Sequence, residues 1–196
     1  MKIGFVIFNG MTTLDFIGVF DPLCRLKKMN FLHNLSWEIC AFTDEVKDDF
    51  GFSFRPDRRR EPLEGYDLLV FPGGLATRTL IYDESFVAWI AAGGSCKLLA
   101  SVCTGALLLG AAGLLAGLPA TTHHSAFSIL EHYAAEVRRE RIVDCGKIIT
   151  AGGVSASIDL GLYLCERLAG RDARIKLQHQ MDYRAYPEDI AVLVDR

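Results

Sequence analysis

Lys97-Leu-Leu-Ala-Ser-Val-Cys103-Thr-Gly-Ala-Leu-Leu-Leu109 is the stretch on which the reading of the fold turns. Lys97–Val102 is a short, mostly apolar run with the character of a buried strand, and a helix is predicted over Thr104–Ala112 with no loop between them. A residue joining strand directly to helix sits at a sharp, strained turn that presents its side chain at the top of the sheet, the geometry of a nucleophile elbow. Cys103 holds that place. Free amides and the helix dipole favour negative charge there, which predicts a lowered thiol pKa and a reactive thiolate. The other reading of the same residues is one more buried cysteine, with Thr104 capping its own turn.

Outward from this segment the pattern alternates. Strands are predicted at Ile3–Phe8, Trp37–Phe42 and Leu68–Phe71, and a strand pair at Ile142–Asp144 and Lys147–Thr150, turning at Cys145-Gly146. Helices are predicted at Thr13–Lys28, Glu84–Ala92, Ser125–Tyr133, Val154–Leu168 and Asp172–Gln180. Short apolar strands alternating with helices specify an α/β fold, a doubly wound, mostly parallel sheet with helices on both faces. Ligands in such folds bind at the carboxyl ends of the strands. No repeat or linker divides the chain, so residues 1–196 read as a single domain.

Composition narrows the function classes. A net charge of −3 gives no basic field for nucleic acid or an acidic membrane surface. Arg55 and Arg58–Arg60 read as a solvated loop. The apolar run Ala106–Leu118 is broken by Gly110, Gly113 and Gly117 and is shorter than a bilayer span, and the N-terminal apolar stretch is too short for a signal core. A cytoplasmic protein is expected. Six cysteines (24, 40, 96, 103, 145 and 165) show no C-x-x-C and no zinc-ligand spacing, so no metal is expected. Cys40, Cys96 and Cys165 read as small buried hydrophobes.

Other predicted strand ends carry chemistry too. Pro72-Gly73-Gly74 leaves a strand through paired glycines, whose amides could turn inward as a hole for developing negative charge or simply make a tight turn. Thr150-Ala-Gly152-Gly153-Val154 repeats the arrangement. Asp15 has two readings. It is a first-turn carboxylate in a Thr12-x-x-Asp15 capping-box spacing, or a carboxyl near Cys103, desolvated by Leu14, Phe16 and Ile17 so that it stays protonated and donates to sulfur. The adjacent His123 and His124 are expected to diverge and so to chelate poorly. His123 is a candidate base of a Cys–His dyad or a pocket wall. Asp159 reads as a helix-start dipole partner, and His33, His132 and His179 as surface or helix-face residues.

Ser101-Val-Cys103-Thr-Gly-Ala, Gly110-Ala-Ala-Gly-Leu-Leu-Ala-Gly117, Ala120-Thr-Thr-His123 and Phe71-Pro-Gly-Gly74 together resemble the ThiJ/PfpI superfamily. With Leu14-Asp15-Phe16-Ile17-Gly18 and Gly152-Gly-Val-Ser-Ala-Ser-Ile-Asp159, they look most like its isocyanide (isonitrile) hydratase branch, from about residue 3 to Tyr183. The resemblance implies a flavodoxin-like domain of the class I glutamine-amidotransferase type, usually a homodimer, with no cofactor. It implies Cys103 as nucleophile, Asp15 as the carboxyl hydrogen-bonded to it and Thr104 beside it. Gly73, Gly74, Gly152, Gly153 and Val154 match the groups lining the substrate pocket, with His123 at its wall. The implied reaction converts an isocyanide to an N-substituted formamide through a thioimidate on Cys103, with Asp15 as proton relay.

The chain departs from the pattern in three ways. His124-Ser125 stands where the hydratase pattern has an aromatic after the histidine, which implies a more polar pocket. Asp15 stands where the superfamily more often has glutamate, which favours the hydratase branch. Thr104 also fills the place of the histidine that follows cysteine in the protease-type dyad. Two alternatives remain: a non-catalytic ligand-binding relative of regulator domains, and another Cys-dependent activity, glyoxalase-like or redox-sensing. In 196 residues there is no room for an added helix-turn-helix, which counts against a complete DNA-binding regulator.

Overall fold

The computed structural model describes residues 1–184 and 190–193. The chain opens with β1 (Lys2–Ile7), α1 (Thr13–Lys28) and β2 (Ser36–Ala41), then the short β3 (Val46–Lys47), β4 (Ser53–Phe54) and β5 (Arg58–Arg59). The middle holds β6 (Leu68–Phe71), α2 (Thr77–Leu80), α3 (Glu84–Ala92), β7 (Leu98–Val102), α4 (Gly105–Ala111) and β8 (Pro119–Ala120). It closes with α5 (Phe127–Leu130), β9 (Glu136–Val137), β10 (Ile142–Asp144), β11 (Ile148–Ala151), α6 (Ala156–Ala169), α7 (Arg171–Gln180) and β12 (Ala191–Leu193). Eight strands form one sheet in the order β12-β10-β11-β7-β6-β1-β2-β5, and β3/β4 and β8/β9 make two small ribbons.

Every pairing in the main sheet is parallel except β10 with β11, which turn back on each other through Gly146 (φ 80°) as the Cys145-Gly146 reading anticipates. This is the doubly wound, mostly parallel α/β architecture, and β1, β6, β7 and β11 are apolar because helices cover both faces. Phe5 packs with Phe16 and Phe20 of α1 on one side, while Phe8 and Phe42 pack with Phe86 and Trp89 of α3 on the other. Each such buried ring contributes about 2–3 kcal/mol through area alone.

The seam between α1 and α6 matters most for the site. A Cβ on Gly18 would lie 2.1 Å from Ser157 Oγ, and one on Gly161 would lie 2.8 Å from Pro22 Cγ and 2.9 Å from the Gly18 carbonyl. Glycine at both positions lets the helices close to backbone contact, which draws the first turn of α1, bearing Asp15, against the start of α6.

Four sequence readings change. Arg58–Arg59 is an edge strand beside β2, not a solvated loop, with Arg58 paired to Glu38 and Glu61 and Arg59 to Asp44. The helix expected over Ser125–Tyr133 is a 3-10 turn at His124–Ala126 followed by Phe127–Leu130 only. Tyr133 has left it to pack on Gly110, where a Cβ would come within 2.5 Å of the tyrosine Cβ. The elbow helix starts at Gly105 rather than Thr104. An unanticipated strand, β12, pairs in parallel with β10 at the sheet edge.

Candidate active site

β7 ends at Val102, and the chain reverses on Cys103, a non-glycine residue with φ 54°. That conformation costs about 1–3 kcal/mol and persists because the surroundings fix it. The Cys103 N–H donates to the Ala151 and Gly152 carbonyls, both at 3.0 Å, and its own carbonyl accepts from Thr122 Oγ1 at 2.7 Å. Gly105 completes the turn, since a Cβ there would sit 2.4 Å from the Phe71 carbonyl oxygen. The elbow read from sequence is present, but its sulfur is not exposed: Cys103 keeps only 6% of its surface accessible.

Asp15 reaches the same point from α1 and is fully buried. Its Oδ2 accepts from the Gly73 N–H at 3.1 Å, and its carboxyl hydrogen-bonds the Cys103 side chain. Oδ1 is buried without a hydrogen-bond partner among the described residues. Asp15 stands in the first turn of α1, as the first reading has it, and is buried beside Cys103, as the second has it. Thr12 Oγ1 does not cap the helix but donates to Asp49 at 3.1 Å. Burial raises the Asp15 pKa to about 7, against the pull of the Cys103 and Gly73 hydrogen bonds and with a further push from the Asp49 charge.

The thiol corrects an expectation. The Thr104 amide at the helix start does pull its pKa down, but burial and then the Asp15 charge outweigh that pull, and the thiol is pushed up to about 12. Cys103 is therefore not an isolated low-pKa thiolate. It is half of a carboxyl–thiol pair that holds a single proton between these two values.

The paired glycines also behave differently from expectation. The Gly73 amide is committed to Asp15, and the Gly74 amide donates to Thr104 Oγ1 at 3.0 Å while that hydroxyl donates back to the Gly74 carbonyl, also at 3.0 Å. These amides form no open anion hole; they hold Asp15 and Thr104 in place. Gly73 lies directly under the turn, since a Cβ there would be 2.6 Å from the Thr104 nitrogen. On the other side a Cβ on Gly153 would be 2.6 Å from the Cys103 sulfur, so Gly153 clears the space around it. Gly152 serves through its carbonyl.

A cleft of about 410 Å³ is lined by Cys103, Thr104, Gly74 and Val154. His123, Ser125 and Arg78 are also on its wall. The two histidines do not diverge: their rings stack with centroids 4.2 Å apart. His123 makes no hydrogen bond to Cys103. Its Nδ1 lies 2.9 Å from Ser125 Oγ and accepts from the Ser125 amide at 3.3 Å, so a Cys–His dyad is not formed. Burial, then its neighbours His124 and Arg78, lower the His123 pKa below the ordinary histidine value. Asp159 stands in the first turn of α6 as anticipated, and is also buried in an ion pair with Arg141 and accepts from Tyr183 Oη at 2.8 Å.

Sequence reasoning missed Arg78 and Asp49. Arg78 is four residues beyond Gly74, in the short α2 that follows the carboxyl end of β6, a place where a lone arginine is a readable signal. Asp49 carries no local signal, because only the folded β3–β4 connection brings it to Thr12. Among the described residues no cluster of His, Cys, Asp or Glu could hold a metal ion, and no helix is long and apolar enough to cross a membrane.

The sequence model of the DJ-1/PfpI family matches residues 1–167. Isonitrile hydratase of Pseudomonas putida is 33% identical over 188 residues, 95% of this chain and 80% of that protein. The HTH-type transcriptional regulator CdhR of Pseudomonas aeruginosa is 28% identical over 185 residues, 90% of this chain but only 53% of the regulator. Among solved structures, a THiJ/PfpI family protein from Pseudomonas syringae superposes with a TM-score of 0.84 at 31% identity, covering 95% of this chain and 76% of that one.

Proposed function

The chain belongs to the DJ-1/PfpI family, and we propose that within it this protein is an isonitrile hydratase-like enzyme, a cofactor-independent lyase that hydrates an isocyanide to an N-substituted formamide. The observation that carries the reading is the buried Asp15–Cys103 pair, poised with one proton where Cys103 lines a cleft. In the reactive arrangement the proton is on Asp15 and the sulfur is a thiolate. Sulfur attacks the terminal carbon of R–N≡C while Asp15 protonates that carbon, giving a thioimidate, Cys103–S–CH=N–R, and an Asp15 carboxylate. Water then adds across the C=N bond, hydroxyl to carbon and proton to nitrogen. The C–S bond breaks, its electron pair returns to sulfur, the hydroxyl proton passes to Asp15, and R–NH–CHO leaves. Thr104, locked to Gly74, donates its amide to the sulfur that bears the charge.

The reading carries with it one domain over residues 1–196, a homodimer in the cytoplasm, and a small-molecule substrate with no nucleic-acid or membrane partner. The regulator relatives favour a second reading, a ligand-binding domain in which the cysteine is a vestige. Incubation of the purified protein with cyclohexyl isocyanide, following the formamide, separates the two. Formamide is expected from the wild type and none from Cys103→Ala, with the melting temperature of that variant preserved. Absence of formamide with this and an aryl isocyanide removes the hydratase reading.

A further inference from the structure

Arg78 is the one permanently charged side chain lining the cleft. It is half-buried, and no carboxylate among the described residues pairs with it. Its Nη2 donates to Ser125 Oγ at 3.1 Å, and Ser125 Oγ lies 2.9 Å from His123 Nδ1. Serine and the stacked His123–His124 rings thus brace the guanidinium at the cleft, with most of its donors unspent. The imidazole beside it is kept neutral by burial and by the cationic neighbour, so it supplies no competing charge. Asp49, beside the cleft residue Thr12, is engaged by Thr12 Oγ1. A braced guanidinium without a protein counter-ion, sharing a small cleft with a nucleophilic sulfur, suits a carboxylate, whose two oxygens match its planar fork.

We propose that this pocket selects small electrophiles bearing a carboxylate, which Arg78 and Ser125 bind while the electrophilic carbon meets Cys103. The selectivity follows from the wall alone. Its expression as a substrate class, isocyanides with a carboxylate on the R group, rests on the hydratase reading above.

The test uses the full chain and a pair of alkylating probes that differ in charge, iodoacetate and iodoacetamide. Each forms a C–S bond at Cys103 as C–I breaks and iodide leaves, with the thiol proton passing to Asp15 or solvent. Peptide mass spectrometry reads the rate at Cys103, and glutathione supplies the reference ratio of the two probes. The iodoacetate-to-iodoacetamide ratio at Cys103 is expected to exceed the reference by about two- to fivefold, the size of one partly exposed charge pair. It should fall to the reference ratio in Arg78→Gln and persist in Arg78→Lys. In the wild type, which needs no substitution, the excess should shrink as salt is raised from about 0.02 M to about 0.5 M. A wild-type ratio equal to that of glutathione, or an excess that survives in Arg78→Gln, overturns the proposal. Turnover of isocyanoacetate against its neutral methyl ester is measured in parallel. Preference for the acid extends the selectivity to catalysis. Failure of both to react removes the hydratase reading, while the alkylation ratio still decides the role of Arg78.

Discussion

The crossing at Phe71–Gly74 and the crossing at Ala151–Val154 both leave a strand of the sheet through paired glycines, and both border Cys103, yet they act on it differently. The first spends its amides on side chains: Gly73 holds the Asp15 carboxyl and Gly74 holds the Thr104 hydroxyl. The second spends its carbonyls on the Cys103 N–H, and at Gly153 leaves room beside the sulfur. One places Asp15 and Thr104, the groups proposed to manage the proton; the other shapes the backbone of Cys103 and the space in front of its sulfur. Identical sequence punctuation therefore hides a division of labour that only the partners disclose.

Asp15→Asn tests the first crossing most severely. Asparagine keeps the acceptor for the Gly73 amide but cannot exchange a proton, so turnover should fall by about 10²-fold or more. The wild-type kcat/KM for a neutral isocyanide should rise with pH through about 7, where the pair passes from two protons to one. Asp15→Asn should lack that step. Stability should move the opposite way. The folded protein binds the Asp15 proton up to about pH 7, whereas the unfolded chain releases it near the ordinary value of 3.8. Wild-type stability should therefore fall between those two pH values, by on the order of 4 kcal/mol from this group, and the Asn variant should lack that decline in denaturant titrations.

Gly153→Ala tests the second crossing. Its Cβ would press on the sulfur at 2.6 Å and on the Cys103 Cβ at 2.7 Å, and the sulfur can give way toward the cleft. Turnover is expected to drop by about 10²-fold through misplacement, with some loss of melting temperature as well, because the Cys103 Cβ cannot give way as the sulfur can. Gly73→Ala should show the reverse emphasis. Its Cβ meets a backbone nitrogen that has nowhere to go, so overpacking should cost about 1–3 kcal/mol, or roughly 2–10 °C in Tm. If the two alanine variants behave alike, the contrast between the crossings is wrong.

Gly152→Ala is the smallest effect. A Cβ there would come no closer than 3.9 Å to the Arg141 and Thr122 carbonyls, and the residue contributes only backbone groups that alanine keeps, its carbonyl to the Cys103 N–H and its amide to the Arg141 carbonyl at 3.0 Å. Tm should stay within about 2 °C of wild type, with near-normal turnover. A large loss in either would show that Gly152 shapes the elbow through more than these two backbone hydrogen bonds.

Much of this was legible in the sequence because the signals are local. The strand-to-helix junction at Cys103 and the apolar runs of β1, β6 and β7 need only neighbours a few residues away. The proximity of Asp15 to Cys103 was one of two open readings of the residues, and only the resemblance favoured it. What decides it is a hydrogen bond to Gly73, 58 residues along the chain. The thiol pKa went the wrong way because the helix dipole is a local term, whereas burial is a property of the assembled core. The open amides predicted at Gly73-Gly74 failed for a related reason: pattern shows that an amide can turn inward, not which side chain arrives to take it. β12 escaped because three residues at a sheet edge carry too little periodicity to register.

The seam of Gly18, Ser157, Gly161 and Pro22 has a consequence for when the protein becomes reactive. Before that seam closes, Asp15 and Cys103 are separate groups on a growing chain, and the thiol ionises like that of any small peptide. Once it closes, the resting sulfur is mostly protonated at neutral pH and sheltered from passing oxidants and electrophiles. Maturation thus quiets the cysteine toward bystanders. In the proposed reaction its chemistry is then reserved for molecules that fit the cleft and draw the shared proton onto the carboxyl.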